Sequence, residues 1–164
     1  MALKTIMTAL AATLGLAMAG GMALAADISS SAATAGGKAL VARQAHFKDQ
    51  GAAFKAINDE LRKDAPDKAA IIANTATLKS NGEALPTWFP KGSGPETGLK
   101  TAAKPEVWTD AAGFEAAANR FQVETARLAD IASAGDMDAL KAQVRATGGA
   151  CKNCHDSYRG PDPH

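Results

Sequence analysis

Two cysteines and a histidine near the C-terminal end are the residues whose types and spacing could do chemistry. They stand in the run Cys151-Lys152-Asn153-Cys154-His155, and the chain has no other cysteine. On a helix, at about 100° per residue, Cys154 lies about 60° to one side of Cys151 and His155 about 40° to the other. Both thiols and the imidazole therefore project from one helix face. A Cys-x-x-Cys-His run is the attachment signature of c-type haem, in which the thiols add to two vinyl groups and the imidazole binds the iron.

Three other kinds of site fit this run less well. A dithiol redox site belongs with a thioredoxin-like βαβ pattern, which the sequence lacks. A structural zinc site takes about four ligands, and only His46 and His164 remain to complete one. A disulfide can form in an oxidising compartment, but it gives no reason for the adjacent histidine. A haem-free helical bundle with this disulfide, acting as a binding or structural module, stays open as an alternative.

Four segments with helical periodicity must position this run. Apolar residues recur in them seven residues apart, or in alternating steps of three and four. The segments cover about 38–61, 67–85, 109–135 and 136–159. Their stripes are Leu40, Phe47, Phe54 and Leu61; Ile71, Thr75 and Leu78; Phe114, Phe121 and Leu128; and Met137, Leu140, Val144, Thr147, Cys151, Cys154 and Tyr158. Short links join the first segment to the second and the third to the fourth, as in antiparallel neighbours.

The boundaries of these helices are predicted from capping residues and helix breakers. Gly36-Gly37 and Pro66 should bound the first helix. Pro66 also stands where a proline in the first turn of the second helix is tolerated. Thr109-Asp110 is the expected N-cap pair of the third helix, and Asp136 is the expected N-cap of the fourth.

The link between the second and third segments is much longer than the others. Residues 86–107 contain Pro86, Pro90, Pro95 and Pro105 with Gly92, Gly94 and Gly98. A loop of this length in a compact domain is usually functional or disordered. Because Trp88, Phe89 and Trp108 lie in or beside it, we expect it to pack over something apolar. The sequence predicts an all-α fold, an antiparallel four-helix bundle with a long loop between helices two and three.

The length, net charge and cysteine content of the chain exclude several classes of protein. The chain has 164 residues, with 18 Lys and Arg against 17 Asp and Glu, so its formal net charge is +1. This length suits one domain. A near-neutral charge argues against a nucleic-acid-binding protein, which normally carries a basic surface. Two cysteines are too few for a multi-disulfide scaffold.

The first 26 residues have the pattern of a secretory signal peptide. Lys4 is followed by an uncharged stretch over residues 5–24, and Ala23-Leu24-Ala25 forms a small-x-small cleavage site. A transmembrane anchor is the alternative, since the stretch approaches spanning length, but it is weakly hydrophobic and no basic cluster follows. We expect residues 1–26 to be cleaved and residues 27–164 to form the mature periplasmic chain, which no membrane segment then anchors. Cleavage removes one basic residue and no acid, leaving 17 of each sign.

Methionine, a frequent second ligand of haem iron, is excluded by counting. Met137 is the only methionine beyond the signal peptide, and it precedes His155 by 18 residues on the same predicted helix. That separation is about 27 Å at 1.5 Å per residue, provided the helix is continuous. Gly148-Gly149 lie between them and either permit close approach of the porphyrin or of a facing helix, or mark a local break.

The sequence resembles the cytochrome c′ family, the class II c-type cytochromes. The resemblance covers essentially all of residues 27–164. It rests on the C-terminal run Cys-Lys-x-Cys-His-Asp-x-Tyr-Arg on the last helix of four, whose position matters more than the general Cys-x-x-Cys-His pattern. Other similar stretches are Arg43-Gln44-Ala45, Leu85-Pro86 with Trp88, and Lys104-Pro105-Glu106-Val107-Trp108.

This resemblance implies a periplasmic homodimer with one covalently attached haem c per chain. His155 would be the proximal iron ligand, and Arg43 and Gln44 would lie near the haem propionates. Arg159 resembles the family's arginine beside the proximal histidine; the alternative is a solvated cation at a helix C-terminus.

The residue four positions after Arg43 bears on the coordination of the iron. Low-spin members of the family carry methionine there, and five-coordinate members carry an apolar residue; this chain has Phe47. An apolar lid short of hydrogen-bond donors should favour nitric oxide or carbon monoxide over water or anions. His46, about 100° round the helix from Phe47, is the rival, because bis-histidine ligation would make a six-coordinate electron carrier.

The sequence therefore predicts a monohaem c-type cytochrome of the cytochrome c′ type. It would transfer electrons with periplasmic redox partners, bind a diatomic gas, or both. No acid–base pair or nucleophile arrangement appears, so we expect no enzyme. The six-coordinate carrier using His46 and the haem-free bundle remain the alternatives.

Overall fold

The computed structural model describes residues 27–163. The predicted signal peptide, residues 1–26, and His164 lie outside the described residues. Four long helices dominate the described part: α1 (Ala35–Glu60), α2 (Lys68–Ala84), α3 (Ala111–Ala134) and α4 (Met137–Tyr158). α1 packs on α2, α2 on α3, and α3 on α4. The predicted all-α four-helix bundle is confirmed.

Capping side chains begin the helices as local physical chemistry requires. Asp110 and Asp136 accept hydrogen bonds from the first-turn amides of α3 and α4, so both predicted N-caps are confirmed. Asp67 caps α2 in the same way. Pro66 therefore precedes the cap, and its predicted place in the first turn of α2 is wrong.

The predicted start of α1 is also wrong, because Gly36 and Gly37 lie inside the helix. Thr34 is the N-cap, and its hydroxyl accepts a hydrogen bond from the Gly37 amide. A Cβ added at Gly36 would lie 1.9 Å from the carbonyl oxygen of Gly92. Gly36 thus permits a close approach of a distant loop to the first turn of α1, which the local sequence does not reveal, whereas Gly37 lies against the chain at Ser31 just before the helix.

The link between α2 and α3, called here the crossover loop (residues 85–110), contains short helical pieces. Leu85–Trp88 and Pro95–Thr97 form 3-10 turns, and Glu106–Thr109 forms one α-helical turn. Trp88 and Val107 are buried, so the predicted packing of this loop against apolar groups is confirmed.

Two apolar clusters hold the bundle together. The first lies towards the end of the bundle where α1 connects to α2 and α3 connects to α4. It includes the fully buried Ile57, Leu128 and Leu140. Burying each such side chain contributes about 1.5–3 kcal/mol. The second joins the crossover loop to α3 and the end of α4, with Trp88 and Phe121 among its members. No helix within residues 27–163 combines the length and apolarity needed to cross a membrane.

Candidate functional site

A cavity of about 470 Å³ lies between α1, α3, α4 and the crossover loop. α1 and α4 do not share the extensive packing of the other neighbouring pairs, and the cavity lies between them. Its volume is within the usual range for small-molecule and cofactor sites.

Cys151, Cys154 and His155 all line this cavity. α4 runs without interruption from Met137 to Tyr158, so the three side chains share a face as the spacing predicts, and the alternative of a local break at the glycines is wrong. A Cβ at Gly148 would meet Phe54 of α1 at 3.5 Å, an ordinary contact distance. Gly148 therefore faces α1 without a contact that requires glycine, and a Cβ at Gly149 would meet nothing within 4 Å. Close approach of the porphyrin to these glycines stays a prediction.

The cavity keeps these groups uncharged. Burial, and secondarily the neighbouring Cys154, raises the pKa of the Cys151 thiol to about 11, and burial also raises the pKa of Cys154. Partial burial lowers the pKa of His155, and the positive charge of Arg159 adds to the effect. A neutral imidazole is the form that binds a metal. No disulfide joins Cys151 and Cys154.

Aromatic side chains form much of the remaining lining of the cavity. Phe47 of α1 meets Phe89 edge to face at 6.1 Å between ring centroids. Phe89 meets Phe114 at 4.8 Å, and Phe114 meets Tyr158 at 5.3 Å. These four rings and that of Phe121 line the cavity. Two thiols and an imidazole facing aromatic walls fit a planar, largely apolar macrocycle joined through sulfur and nitrogen, as haem c is.

Arg43 lines the cavity but its guanidinium holds the crossover loop. Nη1 donates to the Trp88 carbonyl at 3.1 Å and to Ser93 Oγ at 2.9 Å, and Nη2 donates to the Ser93 carbonyl at 2.8 Å. The group lies 4.6 Å from the centroid of Phe89. Burial lowers the pKa of Arg43, while Glu96 opposes that shift. This anchoring role was not predicted, and Ser93, 50 residues away in the chain, was missed altogether.

Gln44 also lines the cavity and also contacts the crossover loop. Its Nε2 donates to the carbonyl of Lys100 at 2.9 Å. The proximity of Arg43 and Gln44 to haem propionates stays a prediction.

His46 lies outside the cavity. It is exposed, and its ring stacks on Trp88 with 4.7 Å between centroids and an interplanar angle of 18°. It is not among the residues that line the cavity. The helix is oriented so that Phe47, and not His46, faces inward.

The end of α4 is fastened to the rest of the molecule beside the cavity. Tyr158 donates from its hydroxyl to Asp110 Oδ2 at 2.8 Å, and this bond chiefly raises the pKa of Tyr158 to about 12. Arg159 forms an isolated backbone bridge with Ala103 and an exposed ion pair with Asp162. Arg159 therefore lines the cavity near His155 while its charge is also solvated, so each of its two predicted interpretations describes part of its surroundings.

Gln50 is a cavity residue that the sequence analysis missed. A usable signal was present, because a residue three positions after Phe47 on a helix lies beside it. The expectation of an apolar lid short of hydrogen-bond donors stays a prediction.

Comparison with known proteins gives consistent matches. A family model described as Cytochrome C′ matches residues 38–159. Cytochrome c′ of Rubrivivax gelatinosus is 40% identical over 124 residues, covering 75% of this chain and 95% of the relative. Cytochrome c′ of Alcaligenes xylosoxydans xylosoxydans is 44% identical over 93 residues, covering 57% of this chain and 69% of the relative.

Solved structures match along a similar span. The crystal structure of cytochrome c′ from Rubrivivax gelatinosus has a TM-score of 0.69 at 36% identity, covering 76% of this chain and 96% of that one. A nitric oxide complex of a cytochrome c prime variant from Alcaligenes xylosoxidans has a TM-score of 0.68 at 32% identity, covering 77% and 97%. A carbon monoxide-bound variant from the same organism has a TM-score of 0.69 at 32% identity, covering 79% and 98%.

Proposed function

The chain belongs to the cytochrome c′ family, and we propose that it is a periplasmic cytochrome that transfers electrons, binds nitric oxide or carbon monoxide at a five-coordinate iron, or does both. Haem c, attached covalently, is the cofactor of this family. The haem supplies an iron that alternates between the ferrous and ferric states and can bind a diatomic molecule. The observation that carries the proposal is the cavity, in which the thiols and imidazole of α4 face aromatic walls.

Cys151 and Cys154 would form the thioether links, and His155 would be the proximal ligand. The apolar side chains that make up most of the lining would exclude water from the haem. The Tyr158–Asp110 hydrogen bond fixes the end of α4, and hence the direction of the imidazole one turn earlier.

A vacant sixth position is supported by what the surrounding residues can offer. Phe47 lines the cavity and has no lone pair to donate. Met137 is about 27 Å along a continuous helix from His155. His46 stacks on Trp88 outside the cavity, which argues against the six-coordinate alternative. The nitric oxide and carbon monoxide complexes of relatives at 32% identity support gas binding here.

Periplasmic location and dimerisation complete the proposal. Location is supported by the signal-peptide pattern of residues 1–26. Dimerisation through α1 and α2 is supported by Val41 and Ile72, which are large apolar side chains with 52% and 41% exposure on those two helices. A carrier or gas-binding role, with no catalytic turnover, needs no residues beyond those that line the cavity.

Visible spectroscopy of the purified protein tests the proposal. A broad high-spin Soret band in the ferric protein, with carbon monoxide binding to the ferrous protein, is the expected result. Sharp low-spin bands that do not respond to carbon monoxide would support the six-coordinate carrier instead. A purified protein without haem bands, and without covalently retained haem after acid and organic extraction, would support the haem-free bundle.

A Phe47→Met variant tests which residue faces the iron. We expect a low-spin spectrum, because the thioether offers the lone pair that phenylalanine lacks. Leu61→Met is the matched control: Leu61 lies on the same stripe of the sequence, two heptads further on, and packs in the first apolar cluster, away from the cavity. It should keep the high-spin spectrum. A high-spin spectrum in Phe47→Met would show that this position does not face the iron.

A further inference from the structure

Lys104 of the crossover loop holds the C-terminal end of α4, within one helical turn of His155. Its Nζ donates to the carbonyl of Asp156 at 2.9 Å and to that of Ser157 at 3.3 Å. Its backbone amide donates to the carbonyl of Tyr158 at 3.0 Å. One residue from a distant part of the chain thus meets the three consecutive backbone carbonyls that follow the predicted iron ligand.

α4 ends at Tyr158 and cannot satisfy these carbonyls itself. The last carbonyls of a helix have no amide partner within it, and they form the negative end of the helix dipole. The next amide in line, that of Gly160, donates to the carbonyl of Ala102 at 2.7 Å, and Pro161 has no amide hydrogen. Lys104 therefore supplies the missing donors and places a positive charge on the negative end of α4.

The neighbours of Lys104 in the chain hold its ammonium group beside the cavity. Ala103 forms an antiparallel bridge with Arg159, just beyond the end of α4. Residues 101–103 line the cavity, as His155 does. The charge of Lys104 is therefore fixed at the end of α4 from which the imidazole enters the cavity.

We propose that Lys104 is a positioning residue that acts through the end of α4 on His155 and raises the reduction potential of the iron. The inference rests on the proposed function, since it requires His155 to be the proximal ligand. The terminal carbonyls of α4 create a negative potential near the imidazole, which favours ferric iron because the ferric state carries one more positive charge. The ammonium group of Lys104 offsets this potential and favours uptake of an electron from a redox partner.

A potentiometric titration of the haem-loaded protein tests the role of Lys104, at low ionic strength because salt screens surface charges. Lys104→Met keeps the length of the side chain but removes its charge and both hydrogen bonds of Nζ. A unit charge at a helix end changes an equilibrium by about two- to fivefold. We expect the equilibrium constant for reduction to fall by this factor, which lowers the reduction potential by about 20–40 mV at about 59 mV per tenfold change.

Two further variants separate the charge at the helix end from other effects. Lys104→Arg keeps the charge and the donors and should retain the wild-type potential. Lys141→Met is the control, because it removes the same charge from an exposed position of α4, about 21 Å along the helix from His155. Its potential should also match that of the wild type. If Lys104→Met does not accumulate, Lys104→Gln keeps a hydrogen-bond donor without the charge and should lower the potential in the same direction.

Three results would overturn the assignment: an unchanged potential in Lys104→Met, an equal fall in Lys141→Met, or an equal fall in Lys104→Arg. Failure of the proposed function itself has a different signature. In that case the wild-type protein would retain no covalent haem and would show no haem reduction step in the titration.

Discussion

Replacing Arg43 by methionine should loosen the crossover loop from α1. Arg43 is 2% exposed, and its guanidinium makes three hydrogen bonds to two residues of the loop, Trp88 and Ser93. Methionine has a similar length and fills irregular gaps, so the change removes the hydrogen bonds with little loss of packing. The Ser93 hydroxyl keeps its own bond to the Pro90 carbonyl.

The size of the effect follows from these contacts. A hydrogen bond to a charged group contributes about 1.5–3 kcal/mol, so simple addition over three bonds gives an upper bound. Two terms reduce it: two of the bonds share one nitrogen, and the variant no longer has to bury a cation, whose cost is visible in the lowered pKa of Arg43. We expect a loss of about 2–4 kcal/mol in the free energy of unfolding. For a chain of this length that is a fall in melting temperature of roughly 10 °C.

Thermal unfolding of the haem-loaded protein, followed by two probes, measures this loss. Circular dichroism reports on the helices, whereas fluorescence reports on the crossover loop, because Trp88 and Trp108 are the only tryptophans in the chain. In Arg43→Met both midpoints should fall, and the fluorescence midpoint should fall further. Arg145→Met, at an exposed arginine of α4, is the control and should change the free energy by about 0.5 kcal/mol or less. An Arg43→Met melting temperature equal to that of the control would refute the anchoring role.

Two further predictions concern the end of α4 and the exposed faces of the bundle. The hydrogen bond from Tyr158 to Asp110 raises the pKa of Tyr158 to about 12, so its stabilisation is complete below about pH 10 and is lost as the pH rises towards that value. Tyr158→Phe should therefore have a lower urea midpoint at pH 8 and a smaller further decrease above about pH 10 than the wild type; parallel curves would contradict this. Val41→Glu should shift the protein towards the monomer in analytical ultracentrifugation, because it places a charge on the exposed apolar surface of α1 that we propose meets the partner, whereas Val123→Glu, at a position 62% exposed on α3, should not. Equal dissociation of both variants, or of neither, would argue against an interface on α1 and α2.

The helices were predictable from sequence because their determinants are local. An N-cap such as Asp110 or Asp136 acts on amides two or three residues away. The ligand set was predictable for the same reason, since Cys151 and His155 are one turn apart on a single helix. Their shared face follows from helix geometry, whatever the rest of the molecule does.

The start of α1 and the position of Arg43 could not be predicted in this way. Gly36 looks like a helix breaker in the sequence. Glycine is needed there because the carbonyl of Gly92 approaches from the crossover loop and leaves no space for a Cβ. Arg43 likewise depends on Ser93, 50 residues away. Both errors concern the same loop, whose path depends on tertiary contacts that no periodicity encodes.

The apolar stripe of α1 shows why a cavity is harder to predict than a core. Leu40, Phe47 and Phe54 recur at equal spacing, and the pattern predicts one inward face for all of them. Leu40 is fully buried, whereas the two phenylalanines are only partly buried, because they line the space between α1 and α4. Periodicity reports which way a side chain points and carries no information about whether a neighbouring helix fills the space it points into. α4, which carries the thiols, packs against α3 and shares little packing with α1. The space left between α1 and α4 is the one that a planar cofactor can occupy.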